Sequence, residues 1–330
     1  MKWFQNCMNH HSIIHHVSII NNDAEQSFNF YRNILGLNLL MKTVNQENYE
    51  MYHIFFADKY GRPGTEVTLF EMKEGTNNHF GTNAFDRLLF KVPSKESLKY
   101  WERRFDELDV CHYGLEIYTD RSLIRFEGPD ETPLGLIVMS EQENLDDYYT
   151  DEKGIIPIEH QIIALDSVHM RTKYPEASKQ FFQKLYNWEA YERTTFFDTQ
   201  LPVEILHNNN HNMYHEIHIV HDAFNKFEEQ GFGGIHHVAI SANDEEALVQ
   251  IEKTLDKLNM KHSSIKNRGF FKSIYYRDPN QVLFEVATMK LNIDEVKFEQ
   301  KSFEEIPLYL PEHLEEKRTF IEKQLRKSKF

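Results

Sequence analysis

Two short segments of the chain are near copies of each other: Ile14-His15-His16-Val17-Ser18-Ile19 and Ile235-His236-His237-Val238-Ala239-Ile240. Each reads as a strand. A third segment, 275–285 (YYRDPNQVLFE), reads as a strand, an Asp-led turn and a second strand ending in Phe-Glu. Side chains alternate between faces along a strand. Val17 and Ile19 therefore share one face, and His16 and Ser18 the other. In the last strand Val282, Phe284 and Val286 share one face, and Leu283, Glu285 and Ala287 the other. The apolar faces are expected to pack under helices. That leaves His16, His237 and Glu285 on the concave face of a curled sheet. Two neutral imidazoles and a carboxylate are the facial triad that holds Fe(II) and keeps the opposite coordination face open for chemistry. The imidazoles must be neutral to bind, so metal affinity is expected to fall below pH of about 6.5.

The elements that carry these residues repeat as well. After the first His-His strand come Asn22-Asp23, a helix N-cap, then Phe28, Tyr31 and Leu35 at helical spacing, with Gly36 as C-cap. After the second come Asn243-Asp244 and then Leu248, Ile251, Leu255 and Leu258 on one helical face. Segment 55–71 (FFADKYGRPGTEVTLFE) parallels 275–285 with a longer turn. Two weaker copies lie between, at 86–139 and 161–220. The pattern predicts four βαβββ modules. The fold class is α+β: two domains with curled mixed sheets. The acidic stretch Glu141 to Glu152 is the expected linker. It places modules one and two in 1–150 and modules three and four in 151–290. Residues 291–330 form a tail without a repeat partner, and Pro311 to Phe330 reads as a terminal helix.

Composition narrows the function. Lys plus Arg number 37 and Asp plus Glu 52, a net charge of −15. With no local basic patch, such a chain is repelled by phosphate backbones, so no nucleic-acid role is expected. Cys7 and Cys111 are too few for a disulfide framework or a thiolate zinc site. No run of about 18 apolar residues predicts a membrane helix, and the N-terminus has no apolar signal core. The expectation is a cytoplasmic protein without membrane attachment.

The segments IHHVSI, FYRNILGL, GRPGTEVTLFE, GGIHHVAI and YYRDPNQVLFEVAT resemble ring-cleaving dioxygenases of the vicinal oxygen chelate superfamily, which groups glyoxalase, bleomycin-resistance and extradiol dioxygenase relatives. The likeness spans roughly residues 12–325 and is greatest to the hydroquinone-type branch. It implies glyoxalase-like modules and a mononuclear non-haem metal, Fe(2+) with Mn(2+) as an alternative. In ordinary extradiol enzymes the ligands come from modules three and four. In this branch they come from modules one and four, which maps them to His16, His237 and Glu285. Module three agrees: its equivalent position is Ser167, and His169 falls two places later on the same face. The resemblance further implies an Arg and a Tyr at 17 and 10 places before the Glu ligand, which are Arg268 and Tyr275. Either is placed to bind substrate or to take part in the chemistry, Arg268 at a phenolate oxygen and Tyr275 as a hydroxyl donor or acid. The implied partners are a small aromatic substrate and O2, with a homodimer as the candidate assembly.

His15 and His236 flank the ligands and are candidates for acid–base work. Strict alternation points them away from the metal unless a bulge intervenes. Ser18, on the ligand face, is a candidate for lining the substrate pocket. Glu71 gives module one its own Phe-Glu end. His16, Glu71, His237 and Glu285 would together make the four-ligand set of a glyoxalase-like isomerase or lyase using Zn(2+) or Ni(2+). The spacings differ, 55 residues from His16 to Glu71 against 48 from His237 to Glu285, so Glu71 is expected at a rim. A non-catalytic aromatic-toxin binder is the remaining alternative. His207, His211, His215 and His218 lie in an Asn-rich stretch that reads as an exposed loop, and His10 and His11 precede the first strand.

Overall fold

The structure is a computed structural model that describes residues 12–208, 213–289 and 302–327. Cys7, His10, His11 and His211 lie outside the described residues. Module one runs β1 (Ile14–Asn21), α1 (Ala24–Phe28), β2 (Asn38–Val44), β3 (Tyr52–Ala57) and β4 (Glu66–Glu71). Module two runs β5 (Ala84–Val92), α2 (Lys95–Glu107), β6 (His112–Tyr118), β7 (Arg121–Glu127) and β8 (Pro133–Val138). Module three runs β9 (Ala164–Thr172), α3 (Pro175–Tyr186), β10 (Glu189–Thr195), β11 (Pro202–His207) and β12 (Glu216–His221). Module four runs β13 (Ile235–Ala242), α4 (Glu245–Lys257), β14 (Lys266–Asn267), β15 (Lys272–Arg277) and β16 (Leu283–Thr288).

The helix starts follow the expected capping chemistry. Asp23 Oδ1 accepts from the Gln26 amide at 2.8 Å, and Asp244 Oδ1 from the Ala247 amide at 2.8 Å. After α1 the chain widens into a π-helical turn over Asn29–Ile34. It leaves that turn through Gly36 at φ +75°, where a Cβ would lie 2.4 Å from Ile156 Cγ1.

The modules pair in a way the linker did not suggest. One eight-stranded sheet has the order β14-β15-β16-β13-β1-β4-β3-β2, and the other β10-β11-β12-β9-β5-β8-β7-β6. Modules one and four thus share one curled mixed sheet, and modules two and three the other. Both sheets cross the expected boundary between 1–150 and 151–290. The acidic linker marks where modules end, but the unpaired edges of β1 and β5 decide which modules join. The strands β1 and β13 close the first sheet antiparallel, and β5 and β9 the second. One apolar core draws on all four modules, with Val17, Leu88, Val168 and Val238 at its centre.

The tail braces the first sheet. Lys42 Nζ donates to the Phe303 carbonyl at 2.7 Å, and the Tyr309 amide donates to the Lys42 carbonyl at 2.8 Å. The single terminal helix expected over 311–330 is instead two short ones, α5 (Glu312–Glu315) and α6 (Arg318–Lys327). With that break, Leu310, Leu314, Ile321 and Leu325 join Val44 in one apolar cluster.

Candidate metal centre

The central pairing of β1 with β13 is bulged twice. His16 stands opposite Ala239 and Ser18 opposite His237, while His15 and His236 are the extra residues at the two register shifts. A bulge breaks the alternation of faces. Both first histidines therefore turn toward the rings that follow them instead of away. His16 Nε2 and His237 Nε2 lie 3.3 Å apart, and each is 3.0 Å from Glu285 Oε2. All three residues are buried. Glu285 is brought there by β16, which runs parallel to β13 with Glu285 opposite Ala239.

Each candidate ligand is oriented from behind by its chain neighbour. His16 Nδ1 is 3.0 Å from His15 Nδ1, and His237 Nδ1 is 2.7 Å from His236 Nδ1. His15 Nε2 donates to the Thr288 carbonyl at 3.2 Å. Its Nδ1 is then an acceptor, His16 Nδ1 carries the proton, and the His16 Nε2 lone pair faces inward. Burial, reinforced by His16, lowers the His15 pKa to about 3. Burial, with His237 beside it, lowers that of His236 to about 3. Burial also lowers the pKa of His237. Burial alone would raise the Glu285 carboxyl, but the His16 and His237 rings beside it hold it well below the usual range. Glu285 Oε1 is buried without a hydrogen-bond partner among the described residues. An orphaned carboxylate oxygen beside two inward imidazole lone pairs fits a divalent cation. A second grouping, His15, His16 and Glu66, also clusters its ligand atoms. There the two Nδ1 atoms already bond each other. The Glu66 carboxyl, buried and without a hydrogen-bond partner among the described residues, is raised well above its ordinary value by burial, then by Asp58 and Glu285.

A cavity of about 330 Å³ opens over the triad, room for one aromatic ring. Phe55, Phe70, Phe270 and Phe271 supply apolar walls, and Glu47, Lys266 and Arg268 stand at its mouth. Ser18 Oγ is 3.0 Å from His237 Nε2. Tyr275 lies opposite Glu285 on β15, with its ring 5.3 Å from that of His237. Burial, then the Glu285 charge, raises its phenol well above the ordinary value, so it stays protonated. Arg268 packs its guanidinium 5.4 Å from the Tyr275 ring and also meets Glu47 at 3.4 Å. His236 lines the cavity, whereas His15 is fully buried behind His16 and does not.

Glu71 is elsewhere. It ends β4, where Oε1 accepts from the Ala24 amide at 3.2 Å and Oε2 meets Lys73 at 3.3 Å. The registers explain the unequal spacing: Thr68 pairs with Ser18 as Glu285 pairs with Ala239, so Thr68 is the counterpart of Glu285. The Phe-Glu ends are a coincidence three residues out of step.

Sequence reasoning passed over His53, Thr68 and Glu66. Only the register shows that a histidine on β3 reaches the same face as Ser18. His215 and His218 are also not in an exposed loop. Both are buried, and His218 lies within β12, where Ile217 and Ile219 face the opposite side. The Asn-rich run before them hid a strand start.

The family model for the Glyoxalase/Bleomycin resistance protein/Dioxygenase superfamily matches residues 13–130. A Bacillus subtilis (strain 168) protein named "Putative ring-cleaving dioxygenase MhqA" is 31% identical over 319 residues, 95% of this chain and 98% of that one. A Sphingobium indicum protein named chlorohydroquinone/hydroquinone 1,2-dioxygenase is 23% identical, covering 83% of this chain and 84% of its own. A crystal structure of a "putative dioxygenase from Bacillus subtilis subsp. subtilis str. 168" superposes with a TM-score of 0.79 at 23% identity, over 94% of this chain and 96% of the other. That last likeness shows a shared fold.

Proposed function

We propose that the chain, which belongs to the Glyoxalase/Bleomycin resistance protein/Dioxygenase superfamily, is an Fe(II)-dependent dioxygenase that opens a hydroquinone- or catechol-type ring. The observation that carries this reading is the convergence of His16 Nε2, His237 Nε2 and Glu285 Oε2 at the floor of a ring-sized cavity. The names of the two relatives support the ring-cleaving assignment. His16, His237 and Glu285 would hold the metal, Fe(2+) or Mn(2+). Such an ion supplies Lewis acidity toward a phenol and one-electron exchange with O2.

The chain's own residues supply the rest. The four phenylalanines exclude water and hold the ring by its faces. Tyr275, kept protonated, donates to a substrate oxygen, and Arg268 presents its planar fork to developing negative charge. His236 offers a neutral imidazole at the cavity wall, and Ser18 a hydroxyl beside the triad. His15 acts at one remove, by holding the His16 tautomer. The physiological setting of the reading is aromatic or quinone detoxification in the cytoplasm.

The test is O2 uptake by anaerobically reconstituted protein with a panel of hydroquinones and catechols, read against metal content. Stoichiometric O2 consumption with loss of the aromatic absorbance is expected for at least one ring. Turnover that persists without O2 would overturn the reading in favour of an isomerase or lyase.

A further inference from the structure

A line of polar groups, half-buried at His53 and buried at Thr68 and Ser18, runs from the cavity wall to the triad, and it crosses three neighbouring strands. His53 on β3 is 3.0 Å from Thr68 Oγ1 on β4 through its Nε2. Thr68 Oγ1 is 2.7 Å from Ser18 Oγ on β1. Ser18 Oγ is 3.0 Å from His237 Nε2. Thr68 and Ser18 have no exposed surface. The His53 ring is clasped between Phe70, at 4.0 Å between centroids, and Phe55, at 4.1 Å. It lines the cavity, and its Nδ1 has no hydrogen-bond partner among the described residues.

We propose that His53, Thr68 and Ser18 form a proton relay that removes the proton of a substrate hydroxyl at the triad and delivers it to the cavity mouth. The relay rests on the reading of the site as one that binds a phenol. Once His237 Nε2 is committed to a ligand set, the Ser18 hydroxyl keeps only Thr68 as a fixed partner and stands free to meet a substrate oxygen. A hydroxyl both donates and accepts, so each can pass one proton on as it takes another.

The step balances without an oxidant or reductant. The substrate O–H bond breaks as Ser18 Oγ takes its proton, and the bonding pair stays on the substrate oxygen as phenolate. Ser18 gives its own proton to Thr68, and Thr68 gives its own to His53 Nε2. The resulting imidazolium sheds the proton from Nδ1 to water at the mouth. His53 must begin unprotonated at Nε2. Burial, then His16 and His237, holds its pKa well below the ordinary value, while Glu285 opposes them and Arg268 adds to them. His53 is a positioning and relay residue that reaches the reacting atoms through Ser18.

The phenylalanine clasp and the chain of hydroxyls have a bland use as a structural network, so the test must separate rate from fold. Fe(II)-loaded protein is mixed anaerobically with 4-nitrocatechol in a stopped-flow instrument, and the visible spectrum follows ionisation of the bound phenol. Thr68→Val should slow ionisation at least tenfold with metal content and final spectrum unchanged. Thr68→Ser, which keeps the hydroxyl, should restore the rate. His53→Gln, which keeps a partner for Thr68 but has no basic nitrogen, should be slowed as well. If Thr68→Val loses metal or fails to fold, His53→Gln decides alone. Ionisation at the wild-type rate in the metal-loaded Thr68→Val or His53→Gln protein overturns the relay. If wild type ionises the probe through these residues yet consumes no O2 with any ring, the relay stands and the dioxygenase reading falls. If wild type never ionises the probe, the relay falls.

Discussion

In the sheet built from modules one and four, the residue after each central bulge is a histidine, His16 or His237. In the sheet built from modules two and three, the same two positions hold Arg87 and Ser167, after bulges at Asp86 and Asp166. The counterpart of Glu285 there is His218, opposite His169. Backbone and register are the same, yet the atoms are used differently. Arg87 Nη1 donates to the Leu134 carbonyl at 2.6 Å. His218 has both nitrogens engaged, with Glu216 at 2.6 Å and Tyr118 at 3.2 Å. Arg121 closes the polar network across Asp166 and Glu216. Phe197 stacks on Tyr118 at 4.5 Å, lies 4.4 Å from the Arg125 guanidinium and 5.2 Å from the His169 ring. The first sheet leaves three converging ligand atoms without a full set of protein partners. The second also leaves buried atoms without a hydrogen-bond partner among the described residues, namely Arg87 Nε, Ser167 Oγ and both His169 nitrogens, but no three metal-ligating atoms converge there. A site is therefore made by what the fold leaves unsatisfied, and by whether those atoms converge.

The largest expected effect breaks that contrast directly. His16→Ala, His237→Ala and Glu285→Ala should each lose at least nine-tenths of the bound metal in elemental analysis, since a facial triad has no spare ligand. Ser167→Ala and His218→Gln, at the matching positions of the second sheet, should leave metal content at the wild-type level. Full occupancy in His16→Ala would end the assignment of ligands to modules one and four.

The convergence of His16, His237 and Glu285 was legible because they sit on a repeated motif: two His-His strands and a Phe-Glu strand end. The βαβββ modules were legible for the same reason. The sheet partners were not, because a linker's composition does not say which strand edges close on each other. His15 and His236 were named but not placed, since a bulge leaves no mark in a pattern of alternation. Their bond to the next ring came only from the register. Glu71 was set apart by its unequal spacing, but Thr68, the counterpart of Glu285, carried no signal, because the matching Phe-Glu dipeptide lies three residues later. His53 had no signal at all, being one histidine in an apolar strand.

A smaller effect sharpens the comparison within the second sheet. His169 is fully buried among Tyr118, Phe196, Phe197 and His218, and neither ring nitrogen has a hydrogen-bond partner among the described residues. A buried polar group left unsatisfied is a cost, about 1–3 kcal/mol. His169→Phe should therefore stabilise the protein at pH 7. Burial, then His218 and Arg87, holds the His169 pKa well below 6.5. As pH falls through 6.5, the unfolded chain takes up a proton that the folded chain refuses, so wild type loses stability. The phenylalanine variant has no such term. Its advantage should widen by about 2 kcal/mol between pH 7 and pH 5. Denaturant unfolding of both proteins at the two pH values measures this, and a constant gap would mean that His169 is satisfied by some group in solution.

The smallest expected effect concerns Glu71, the residue on which the dioxygenase and four-ligand readings differ most. Its Oε1 accepts from the Ala24 amide in the first turn of α1, and its Oε2 pairs with Lys73. Both contacts are local to the start of a helix and the end of a strand. A carboxylate at a helix N-terminus contributes about 0.3–1 kcal/mol, and a partly exposed ion pair no more. Glu71→Gln keeps an amide oxygen to accept from Ala24 and removes only the charge. Stability should therefore fall by about 0.5 kcal/mol, a small shift in the denaturation midpoint. Metal content should not change, because the place in module one that matches Glu285 belongs to Thr68, three residues earlier on β4. A stoichiometric loss of metal in Glu71→Gln would show that the end of β4 reaches the triad. It would replace the three-ligand centre with the His₂Glu₂ set and move the chemistry from ring cleavage to isomerisation.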